Sequence, residues 1–88
     1  MEKRNMIEED YKRVWAECLE VIKDTLGPEN RQAYETWFVP IVPLKLEGNT
    51  LLVQVPSQFF YEWIEEHYID LLRRVIRMHL GAGAMLKY

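Results

Sequence analysis

Along this chain the spacing of apolar residues changes twice, and each change marks a new kind of element. Over residues 6–26, Tyr11, Val14, Trp15, Cys18, Ile22 and Leu26 recur at helical spacing. Leu19 and Val21 flank that stripe on opposite sides, so the apolar arc is roughly 160° wide. Asn5 and Glu8 stand at capping-box spacing, with Asn in the usual Ser or Thr place. Glu8, Glu9 and Asp10 suit the positive end of the helix macrodipole. Gly27-Pro28 stops the helix. A shorter helix is expected over residues 30–39, with Asn30 as N-cap and Ala33, Tyr34 and Trp37 on one apolar side. Pro40 and Pro43 forbid its continuation.

The period then falls to two. Residues 44–47 alternate, as do residues 51–55, and Gly48-Asn49 between them fits a two-residue hairpin turn. That turn pairs Leu46 with Leu51 and Leu44 with Val53. These residues and Val55 then share one face, while Lys45, Glu47, Thr50 and Gln54 take the other. Leu52 is the one apolar residue on the polar face.

Helical spacing returns after Pro56. Ser57 is placed to cap one long helix, from about residue 58 to residue 79 or 80. Its inward stripe is Phe60, Ile64, Tyr68, Leu71, Leu72, Val75 and His79. Gly81-Ala82-Gly83 ends it, and residues 84–88 are expected to form a third strand after a helical crossover. The order α-α-β-β-α-β predicts an α+β domain, a small three-stranded sheet packed against helices.

Four aromatics, Phe59, Phe60, Tyr61 and Trp63, crowd the start of that last helix. A helix on a core buries one stripe, so some of these rings point elsewhere. Phe60 is expected inside. Trp63 lies on the flank, where it would pack on Trp37 or Tyr34. Phe59 lies roughly 160° from the stripe centre. It is either an exposed anchor for a partner or a first-turn staple, and phase alone favours neither. Trp15 sits near the centre of the first helix's stripe, where core packing is expected. The width of that arc leaves room for a partner too, since one small core need not use Val14, Trp15, Leu19 and Val21 together.

Composition narrows the function classes. Eighty-eight residues make one domain, residues 1–88, with residues 1–6 expected to be a flexible start. An apolar share of 49% excludes a disordered chain. A net charge of −3 argues against strong non-specific nucleic-acid binding; Arg73, Arg74 and Arg77 are the one basic cluster. Cys18 is the only cysteine, so no internal disulfide forms, as fits a reducing cytoplasm. It stands beside no His in the sequence and reads as an inert buried thiol. No apolar run approaches a membrane span, and residues 1–5 lack a signal-peptide core. His67 and His79 have no metal-ligand spacing, and the acidic Glu62, Glu65 and Glu66 read as a solvated face. With no phosphate-cradling loop or nucleophile elbow, neither an enzyme nor a bound cofactor is expected.

Four pieces in order carry a resemblance. They are Trp15-x-x-Cys18-Leu19, Tyr34-x-x-Trp37-Phe38-x-Pro40-Ile41, Asn49-Thr50-Leu51-x-x-x-x-Pro56, and Phe59-x-x-x-Trp63 with Tyr68. Over nearly the whole chain, from about residue 14, the sequence resembles the N-terminal domain of the bacterial replication initiator DnaA. The resemblance implies a KH-like domain that binds proteins: a second copy of itself in a weak homodimer, the replicative helicase DnaB, and regulators of initiation. It places self-association at Val14 and Trp15, with Leu19 beside them. It places the helicase contact at Phe59 and around Tyr34. An acidic residue of the family's helicase contact falls here on Ala33, so that part does not carry over, and Glu35 or Glu29 would have to supply the charge. ATP and Mg²⁺ would belong to a separate ATPase module. KH-like folds often bind single strands through a Gly-x-x-Gly loop. Gly81-Ala82-Gly83 has the wrong spacing, so weak contact through Arg73, Arg74 and Arg77 is the alternative reading.

Overall fold

The computed structural model describes the backbone of residues 2–88 and the side chains of residues 10–88. The elements are α1 (Glu2–Leu26), a 3₁₀ turn (Pro28–Asn30), α2 (Arg31–Trp37), β1 (Val42–Glu47), β2 (Thr50–Gln54), α3 (Gln58–His67), α4 (Ile69–Leu80) and β3 (Met85–Lys87). The α+β class and the element order stand as expected, with one helix divided in two. α1 begins upstream of the expected start, so Asn5 lies inside the helix. The capping roles expected of the Asn5 and Glu8 side chains, and the looseness expected of residues 1–6, lie outside the described residues.

The strands run β1-β2-β3, the first pair antiparallel and the second parallel. The parallel pair needs a crossover, and α3 with α4 supplies it. Gly48 takes φ of 59° in the hairpin turn, a left-handed conformation that costs glycine little. Leu46 faces Leu51 as expected. Leu44 does not face Val53: Pro43 does, and a bulge between Pro43 and Lys45 makes Leu44 an extra residue. Pro43 has no N–H for the ladder, and a bulge absorbs the mismatch. Leu44 consequently leaves the core and is 43% exposed.

The core joins Val14, Trp15, Cys18 and Ile22 of α1 to Leu51 and Val53 of β2 and to Phe60, Ile64, Leu72, Val75 and Ile76 of the last helices. Phe38 and Ile41, in the connector after α2, are also buried there. The expected single helix over residues 58–80 breaks at Tyr68, whose φ of −128° and ψ of 4° leave the helical region. No proline or glycine stands there. Instead the Tyr68 ring packs edge-on against Phe38, with centroids 5.0 Å apart. Past the break Leu72 and Val75 bury as expected and Ile76 joins them, while Tyr68, Leu71 and His79 stay only half-buried. Asn30 precedes α2 but makes no capping bond to it. Its Nδ2 donates backward to the Leu26 carbonyl at 2.8 Å, satisfying an end of α1.

Candidate functional site

The start of α3 is set by one hydrogen bond. Ser57 Oγ accepts from the Phe60 N–H at 3.1 Å, satisfying a first-turn donor and fixing the helix phase. That phase turns Phe60 into the core and turns Phe59 out, where it is 66% exposed. Behind Phe59 stands a layered aromatic group. Its ring lies 6.4 Å from Trp63, and Trp63 stacks on Trp37 of α2 at 5.0 Å with planes 11° apart. Trp37 in turn touches Phe60 at 5.1 Å. On the other side, the His67 ring lies 4.1 Å from Trp63. Phe59, Trp63 and His67 thus form a row along α3, four residues apart, propped by α2.

Trp37 and His67 were not singled out for this surface from the sequence. The signal was the repeat of four through Trp63, read there only as packing. On α2, Ala33 and Tyr34 are half-buried and Glu35 is exposed, held by Arg31 at 3.0 Å. Burial raises the Tyr34 phenol above its ordinary value, with Glu20 adding in the same direction. The stack of Trp37 on Trp63 is what joins this helix to the Phe59 row.

The α1 residues are placed differently. Val14 is 6% and Trp15 3% exposed, and Leu19 is half-buried at the rim of the core. The Trp15 and Trp63 Nε1 donors are buried and find no hydrogen-bond partner among the described residues. Arg73, Arg74 and Arg77 are all exposed along α4, and none forms an ion pair among the described residues.

Cys18 does have a histidine beside it, contrary to the sequence reading. His79, 61 residues away in the chain, brings Nδ1 to 3.6 Å from Sγ. The pair is not poised for nucleophilic chemistry. Burial, then the nearby Glu17, pushes the thiol up to about 12. The same Nδ1 lies 2.9 Å from the Val75 carbonyl, which assigns it as a donor and not as a proton acceptor for the thiol. Among the described residues, no group of three or more His, Cys, Asp or Glu could hold a metal ion. Among the described residues, no helix is long and apolar enough to cross a membrane.

These features define a small α+β domain with an exposed aromatic at the start of α3 and an exposed basic cluster along α4. The model of the DnaA N-terminal domain family matches residues 12–78, and the chain belongs to that family. It is 54% identical over 83 residues to the chromosomal replication initiator protein DnaA of Bacteroides thetaiotaomicron, covering 94% of this chain and 17% of that protein. It is 51% identical over 75 residues to DnaA of Flavobacterium psychrophilum, covering 85% and 15%. DnaA of Chlorobaculum tepidum is 45% identical over 76 residues, covering 86% and 15%. The chain therefore spans about a sixth of the length of these relatives. It corresponds to the N-terminal domain of a replication initiator.

Proposed function

We propose that the domain is a protein–protein interaction module, which recruits the replicative helicase DnaB and regulators in the cytoplasm and associates weakly with its own kind. The observation that carries this is Phe59, two-thirds exposed on a rigid aromatic base. An exposed ring backed by packed rings loses little conformational freedom on docking, which suits a binding anchor. The domain does this work without catalysis or cofactor, ATP and Mg²⁺ belonging to other modules of an initiator. Ala33 and Tyr34 offer partial surface on α2, and Glu35 its charge. Weak self-association engages the α1 side, where Leu19 offers partial surface and Val14 and Trp15 shape it from beneath. A weak dimer contact acts once initiators are held together on DNA, because tethering raises the effective concentration.

The test is Phe59→Ala with helicase affinity and unfolding measured together. A loss of about 2 kcal/mol of binding at unchanged stability supports the anchor. Unchanged binding removes it. Self-association is tested by sedimentation of the wild type and of Leu19→Glu at high concentration; a wild type that stays strictly monomeric overturns it.

A second reading has its own observation. Arg73, Arg74 and Arg77 line a shallow concavity of about 650 Å³ with Asp70, Met78 and Ala82. Single-stranded nucleic acid binding there would weaken steeply with salt in an oligonucleotide titration.

A further inference from the structure

β3 is the outermost strand of the sheet, with β2 on one side and no strand on the other. In a parallel ladder, alternate residues bond to a given neighbour. The Met85 N–H donates to the Asn49 carbonyl at 3.0 Å, so Met85 and Lys87 serve β2. The N–H and C=O of Leu86 are left for the free edge. Beside β3 runs a groove of about 450 Å³ between the strand and the last two helices. Ile69, Ile76 and Leu86 give it apolar lining, and Arg73, Arg77 and Lys87 give it positive charge. The one carboxylate in its wall, Glu65, accepts a hydrogen bond from the Tyr88 hydroxyl at 2.7 Å. No described carboxylate lies within ion-pair distance of the three cations.

An unpaired donor and acceptor on one residue fit a polypeptide backbone, which carries both. A phosphodiester carries no donor. Side chains of an added strand turned toward α4 would meet Arg73 and Arg77 beside Ile69, and those turned away would lie beside Lys87, so cations flank both faces. Three unpaired cations in a chain of net charge −3 select an acidic partner. We propose that the free edge of β3 and the groove beside it receive an extended acidic segment of a partner protein, which adds to the sheet as a fourth strand. This site is separate from Phe59 and does not depend on it.

The probe is a labelled eight-residue peptide alternating Val and Glu, titrated against the 88-residue domain. Amide resonances of residues 84–88 should shift, and Arg73→Glu with Arg77→Glu should weaken binding by about tenfold or more. Both arginines are exposed, so the variant should keep its melting temperature. N-methylation of alternate peptide residues should abolish binding without any change to the protein. The proposal is overturned if about 1 mM peptide shifts nothing, or if an alternating Val and Lys peptide binds as well. It is also overturned if the N-methylated peptide binds equally, or if an oligothymidylate displaces the acidic peptide from the same residues.

Discussion

The indole of Trp37 lies almost flat on that of Trp63, with centroids 5.0 Å apart and planes 11° from parallel. This stack is the main aromatic tie between α2 and α3. Offset-stacked rings add about 0.5–1.5 kcal/mol beyond the area they bury. A double-mutant cycle with Trp37→Leu and Trp63→Leu should return a coupling energy in that range from urea unfolding. A coupling near zero would mean that the two helices are held by other contacts.

Phe59 and Phe60 are neighbours with opposite fates. Phe60 is 8% exposed and packs against Trp37, so Phe60→Ala should cost about 3–5 kcal/mol of stability. Phe59→Ala should stay within about 0.5 kcal/mol of the wild type. Denaturant midpoints of the two variants check the cap-determined phase directly. A large loss from Phe59→Ala would make that ring a staple.

Cys18 gives the domain an alkaline limit. Its native thiol is raised from the ordinary 9.0 to about 12, first by burial and then by Glu17. Between those values the unfolded chain holds fewer protons than the native one, so stability falls as pH rises. Below about 9 the stabilisation is fully present. Tyr34 and Tyr88, both raised by burial first, act in the same direction at higher pH. Unfolding free energies at pH 7, 9 and 10.5 should decline across the last interval, and Cys18→Ala should flatten that decline. At neutral pH the thiol should resist labelling until the protein opens.

Gly27 holds φ of 80° and ψ of 171° between α1 and the 3₁₀ turn, a region open essentially to glycine alone. An added Cβ would also meet Glu29 Oε1 at 3.0 Å. Gly27→Ala should cost about 1–3 kcal/mol by thermal unfolding. If strain and not the side-chain contact dominates, Glu29→Ala in the same background recovers little of it.

The hairpin turn and the start of α3 were readable because their signals are local. Gly48-Asn49 and Ser57 act within four residues of themselves, and both the turn and the cap are where the sequence placed them. The failures have a different origin. Nothing local marks the break at Tyr68; it coincides with an edge-on contact to Phe38, thirty positions earlier. The bulge at Leu44 reflects how Pro43 meets its partner strand. His79 meets Cys18 only once α4 crosses α1. Within the candidate site, helical phase turned Phe59 away from the stripe and put Trp63 on its flank, but it did not decide between an anchor and a staple for Phe59. That Trp37 lies flat on Trp63 followed only from the relative placement of two helices.

Pro43 and the extra residue Leu44 have a consequence for assembly. The bulge at Leu44 twists the outer strand β1, and a twisted edge is a poor template for another strand. With β1 closed in this way, the sheet has a valence of one, at β3. Two domains that met through their β3 edges would therefore leave no second open edge, and a ribbon of strands would not propagate. The bulge that spoils the strand pattern therefore also guards the sheet against edge-to-edge growth.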